Sequence, residues 1–127
     1  MTWDMSCLDW RDRIKAGRSL LPALPLVNSE ADRAVAIFNR LRLPDVPGQP
    51  YMADACGDWA RDMVRALFGS YDPESNVRHI REIFELVPKK NSKTTKGAAI
   101  MLTAVLMSRR PRAEFLLVAP TQEVADL

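Results

Sequence analysis

Apolar residues recur along this chain first with a helical period and then in short unbroken runs, and the change divides the sequence near residue 76. Between Met1 and Gly17, Trp3, Leu8, Trp10 and Ile14 stand among charges, which predicts a short amphipathic helix ending near Gly17. Its tryptophans can contact a partner or fold back onto the chain, the commoner case. Pro22 and Pro25 punctuate Ser19 to Val27, so this stretch should be an extended arm lying on something else. Ala34, Ile37, Phe38 and Leu41 form the stripe of a helix that Ser29 caps, with Asp32 in capping-box position, and that stops before Pro44. Pro44 to Pro50 reads as a structured connector, because its prolines remove donors and Gly48 permits a turn. A further helix is expected from Asp54 to Phe68, with Cys56, Trp59, Met63 and Leu67 on one face and Gly69 as its stop. Ser70 to Asn76 is then a loop.

Past residue 76 the pattern changes. Ile80 to Val87 reads as a strand with apolar residues on both faces, and a helix should run from Thr94 to about Ser108. The basic turn Arg109 to Arg112 leads into Phe115 to Ala119, a second short strand. Strand, helix, strand at this spacing implies a parallel pair with a right-handed crossover. Two such strands cannot complete a doubly wound sheet, so Phe84, Leu86 and Leu116 should be poorly covered and the segment is expected to be the front part of a larger domain.

Between the first strand and the helix lies Val87-Pro-Lys-Lys-Asn-Ser-Lys-Thr94. Against the phosphate-loop pattern G-x-x-x-x-G-K-S/T, Lys93 takes the lysine position and Thr94 the hydroxyl position, while Val87 and Ser92 replace the glycines. Backbone N–H groups at a helix start form an anion-binding concavity, and the helix dipole adds positive charge there. Lys93 would meet the β- and γ-phosphates of ATP and Thr94 would offer its hydroxyl to Mg²⁺. Asn91 and Ser92 would shape the turn, Lys89 and Lys90 would add charge, and Thr95 would lie close by. Lys96, further along the helix, is expected to matter less. The alternative is a basic surface loop between two core elements. The expected fold class is thus α/β, an incomplete P-loop NTPase fold over residues 77–127 preceded by a helical and extended region over 1–76.

Composition narrows the picture. The 127 residues fit one domain or part of one, and 47% hydrophobic content supports a real core. A net charge of +2 conceals a basic segment: residues 78 to 112 carry nine Lys or Arg against Glu82 and Glu85, a surplus of +7. Such a block suits the phosphates of a nucleotide or of a nucleic-acid backbone. Cys7 and Cys56 are too few for a disulfide framework or a zinc site, and free thiols in a reducing cytoplasm are expected. Charges interrupt every apolar run before ~18 residues, so neither secretion nor membrane insertion is indicated. Asp54, Asp58 and Asp62 read as a solvated helix face, His79 as a surface residue, and the methionines and leucines from Met101 to Met107 as core.

Asp9-Trp-Arg-Asp-Arg-Ile14, Phe38 to Gly48, Trp59 to Gly69, Arg81 to Thr94 and Leu117-Val-Ala-Pro-Thr-Gln122 together resemble the amino-terminal part of a tailed-bacteriophage terminase large subunit, and the likeness covers nearly the whole chain. That family's loops often read Pro, Arg or Lys, Lys, Asn, Gly, Lys, then Ser or Thr, which Pro88 to Thr94 matches with Ser92 in place of glycine. The resemblance implies an ATPase domain that drives double-stranded DNA into a procapsid, with a terminase small subunit and a portal as partners, a possible homo-oligomer, and work in the cytoplasm of the bacterial host. It makes Lys93 and Thr94 the nucleotide and magnesium residues, Lys89 or Lys90 a γ-phosphate contact, and Trp59 the adenine-side aromatic, with Ala60 where a glutamine is common. The family's acidic magnesium-binding strand, catalytic glutamate and nuclease carboxylates have no counterpart here, so no catalytic residue is identified and the isolated chain is expected to be inactive. Alternatives are a noncatalytic truncated prophage product, a DNA- or partner-binding module, or another P-loop motor such as a helicase.

Overall fold

Residues 7–21, 24–88, 93–116 and 118 are described by the computed structural model. They form five helices: α1 (Trp10–Lys15), α2 (Asn28–Arg40), α3 (Met52–Ala55), α4 (Asp58–Gly69) and α5 (Lys93–Met107). The centre is the pair α2 and α4. Ala31, Ala34 and Phe38 of α2 are buried at helical spacing, and Ala60, Val64 and Phe68 of α4 answer them. Small residues at the contact let the two backbones approach closely: a Cβ on Gly69 would lie 2.7 Å from that of Ala31. Gly69, expected as a helix stop, instead closes the last turn of α4, where its missing side chain makes room for α2. Met52 and Ala99 complete the core around Phe38, Val64 and Phe68.

Tertiary bonds revise two helix starts. The N–H of Val27 donates to the carbonyl of Gly69 at 2.8 Å, so the arm lies against the end of α4 and α2 begins at Asn28. Ser29 therefore falls inside the first turn without capping it, and Asp32 pairs across the helices with Arg65. The helix expected from Asp54 to Phe68 is broken at Cys56 and Gly57, both extended. The guanidinium of Arg61 holds this corner, donating to the carbonyls of Ala53 at 3.1 Å and Cys56 at 3.0 Å. The break restarts the helix with Ala60 and Val64 inward, and Trp59 and Met63 leave the core face.

The connector is as structured as its prolines suggest. Arg42 and Tyr51 form an antiparallel bridge, the Leu43 N–H donates to the Pro50 carbonyl at 3.0 Å, and Gly48 takes φ 82° in the turn. The helix at Trp10–Lys15 ends before Gly17, at φ 64°, as the sequence indicates. None of its residues is buried, and Trp10 carries the Arg11 guanidinium over its ring rather than entering the core.

The expected α/β fold is not found. Among the described residues no sheet forms, and the only β-pairings are isolated bridges, Arg42 with Tyr51 and Tyr71 with Arg78. Ile80 to Val87 is extended but unpaired, as are the described residues from Ala113 onward, while Leu117 and Ala119 of the second expected strand lie outside the described residues. The physical reason lies in the one-sided cover of the first run. Glu85 and Val87 are half-buried, whereas Phe84 is 89% and Leu86 85% exposed, and Leu116 is 81% exposed. Two strands with one open face lack the ladder and packing that stabilise a sheet. The helix α5 itself forms where expected, but its buried stripe is narrow, Lys96, Ala99 and Thr103, with Leu102, Val105 and Leu106 exposed. Thr103 is satisfied inside by donating its hydroxyl to the Ala99 carbonyl at 2.8 Å. No helix among the described residues is long and apolar enough to cross a membrane.

Neighbouring substitutions at the end of α4 should move stability in opposite directions. Gly69→Ala forces a methyl against Ala31 and should cost about 1–3 kcal/mol, whereas Ser70→Ala removes a buried hydroxyl that has no hydrogen-bond partner and should add about 1 kcal/mol. Urea unfolding of both variants checks the pair, and equal shifts of the midpoint in one direction would refute the close α2–α4 contact.

Candidate functional site

The first turn of α5 presents Lys93, Thr94 and Thr95, all exposed, with no acidic residue in that turn to oppose the helix dipole. The Lys93 ammonium donates to the carbonyl of Val87 at 3.2 Å, which brings the two ends of the polar loop together. An ammonium has three donors, and among the described residues this bond uses one of them. Lys89, Lys90, Asn91 and Ser92 lie outside the described residues.

Trp59, far from the loop in sequence, comes to the same end of α5. Its ring is 50% exposed and packs on Gly57, where an added Cβ would lie 3.0 Å from the ring's Cδ1. Over the ring sits the Lys96 ammonium, 3.5 Å from the centroid, and the same ammonium pairs with Glu85. Lys96 is only 2% exposed, the most enclosed charge among the described residues at this end of the helix. Lys96 and Lys93 are one helical turn apart. The ring of Trp59 thus contacts Lys96, one helical turn from Lys93. Sequence reasoning missed both Lys96 and Glu85. A signal existed, because residues 96, 99 and 103 keep helical spacing, and a lysine on the inward stripe of a helix requires a buried partner.

Beneath this cluster Cys56 is partly enclosed. Burial pushes its thiol up from the ordinary value, opposed by the nearby charges of Lys96 and Arg61. Cys56 and Cys7 are both free, as expected. Among the described residues no group of three or more His, Cys, Asp or Glu side chains gathers to hold a metal. Asp58 pairs with Arg61 at 2.7 Å on an exposed face, in keeping with a solvated acidic side of α4.

At the opposite end of α5 a cleft of about 770 Å³ is lined by Tyr71, Phe115 and the arginines Arg78, Arg81, Arg109 and Arg110. Two of these have structural duties. Arg78 donates to the Leu67 carbonyl at 2.8 Å and lies over the Phe68 ring, and Arg109 pairs with Glu30 at 3.0 Å. Arg81 and Arg110 make no hydrogen bond or ion pair among the described residues. The basic segment therefore serves two separated places rather than one patch. The motif Ala119 to Gln122 lies outside the described residues. Comparison with family models, curated proteins and solved structures gives no match for this chain.

The unpaired arginines generate a measurable expectation. Duplex DNA should bind weakly and without sequence preference, and replacing Arg81 and Arg110 by alanine should flatten the plot of log K against log salt by roughly 0.9 for each phosphate no longer neutralised. Fluorescence anisotropy at several salt concentrations measures this, and an unchanged slope would show that neither residue meets a phosphate.

Proposed function

We propose that this chain is the amino-terminal ATPase portion of a tailed-phage terminase large subunit, in which the loop Pro88 to Thr94 takes the phosphates of ATP. One observation supports the reading: the Lys96 ammonium lies 3.5 Å from the Trp59 centroid, which brings the ring to within a helical turn of Lys93 at the exposed amino end of α5, although 34 positions separate Trp59 from Lys93 in the sequence. A base and a triphosphate need an aromatic surface and a cationic helix start side by side. The reading rests on the loop and the helix, and no sheet forms part of it.

The residues present fit the phosphates. Lys93 is exposed, uses one of its three donors among the described residues, and faces no carboxylate in its own turn, while Thr94 and Thr95 offer hydroxyls beside it. Mg²⁺, when bound with the nucleotide, would neutralise charge on the phosphate oxygens. Thr94 is the side chain that would contribute to holding it. Lys93 would compensate the negative charge that accompanies phosphoryl transfer, and the backbone N–H groups of the first turn would orient the anion. Duplex DNA is the proposed polymer partner, met through the arginine cleft, with a small subunit and a portal as protein partners. The bacterial host's cytoplasm is the proposed compartment.

A second reading, a nucleotide- or DNA-binding module without turnover, is favoured by the state of Glu85, an acid that the structure carries to this end of α5. Glu85 is committed to Lys96 and is not disposed to hold a metal or a water. The two readings share the binding step. Lys93→Ala should abolish binding of a fluorescent ATP analogue, and the parent chain should turn over ATP negligibly. Titration and a phosphate-release assay test these expectations. A variant that binds like the parent would sink the loop assignment, and turnover that Lys93→Ala eliminates would show that an acid of this chain does take part.

A further inference from the structure

We infer that Lys96 is the positioning residue of this site, tying the stem of the phosphate loop and the ring of Trp59 to α5 through its ion pair with Glu85; the inference rests on the nucleotide reading above. A buried ion pair is weak evidence of stabilisation, because an apolar side chain of similar length would fill the same space without desolvating an ammonium. What distinguishes Lys96 is what it joins.

Two rungs connect the loop's stem to α5. Lys93 donates to the carbonyl of Val87, and Lys96 pairs with Glu85. Glu85 and Val87 are half-buried while Phe84, Leu86 and Pro88 between and beside them are exposed, so the two share the covered face, while Lys93 and Lys96 are one turn apart and share one face of the helix. The rungs are therefore matched in spacing. Only the first can be released by a ligand, since Lys93 is exposed and Lys96 is 2% exposed. When a phosphate draws Lys93 away from Val87, the Lys96–Glu85 rung keeps the stem in register against α5. The same ammonium lies 3.5 Å from the Trp59 centroid, while Gly57 backs the ring at a contact that a methyl would crowd at 3.0 Å. Base side and phosphate side thus share one buried charge.

The test places Trp59 as sole reporter in a Trp3→Phe, Trp10→Phe background of the full chain. ATP should change its emission. Lys96→Met, which keeps the bulk and removes the charge, should weaken ATP binding about tenfold and abolish the emission response, since losing preorganisation acts on affinity. Lys96→Arg should restore both, as a guanidinium keeps the ion pair and the contact with the ring. Glu85→Gln should weaken binding, and combined with Lys96→Met should add little, the mark of two groups acting as a unit. Circular dichroism checks that helix content is retained, and if Lys96→Met does not fold, Glu85→Gln and Lys96→Arg decide the matter. Parental affinity and parental emission response in Lys96→Met, or in Glu85→Gln where that variant decides, would overturn the inference. Lys93→Ala separates the two levels: if it abolishes binding while Lys96→Met does not weaken it, the positioning role alone falls, and if Lys93→Ala binds ATP like the parent, the nucleotide reading falls and the role with it.

Discussion

The contact of Ala31 with Gly69 is the constraint on which the rest of the structure depends. Because neither residue carries a side chain beyond a methyl, α2 and α4 come close enough for Phe38, Val64 and Phe68 to fill one core. The arm before α2 is fixed by the same place, since Val27 donates to the Gly69 carbonyl. On that pair α5 rests through Ala99. Its docking angle decides which of its charged residues is enclosed and which is offered to solvent.

The charges of the basic segment divide accordingly. At the amino end of α5 the helix dipole favours an anion, and exposed Lys93 reinforces it. At the carboxyl end the dipole is of the opposite sign, and Arg109 and Arg110 follow the helix where cations are favourable, so an anion there is attracted by side chains alone. The amino end of α5 adds backbone donors to its charge. The other end has mainly charge, which suits a polymer held by its phosphates more than a small ligand held in one pose.

The extended segments show why an apolar run is not yet a strand. Ile80 is buried and Glu85 is held by Lys96, yet Phe84 and Leu86 point to the side that nothing among the described residues covers. A parallel ladder of the kind expected needs a partner for its N–H and C=O groups and cover for both faces. The described residues provide cover for one face only, and the segment stays extended without pairing.

Much of the local structure was legible in the sequence by itself. The connector from Pro44 to Pro50, the short helix ending before Gly17 and the span of α5 follow from prolines, glycines and helical periodicity, which act over a few residues. The exposure of Phe84, Leu86 and Leu116 was equally plain. Only the tertiary structure decided which face of α4 turns inward, because the break at Cys56 and Gly57 resets its register, and a break is set by what Arg61 can reach. It also decided that Lys96 is enclosed between Glu85 and Trp59, and that the two apolar runs remain unpaired. Burial and pairing are settled by partners many residues away, and a single sequence carries that information only in the fold it adopts.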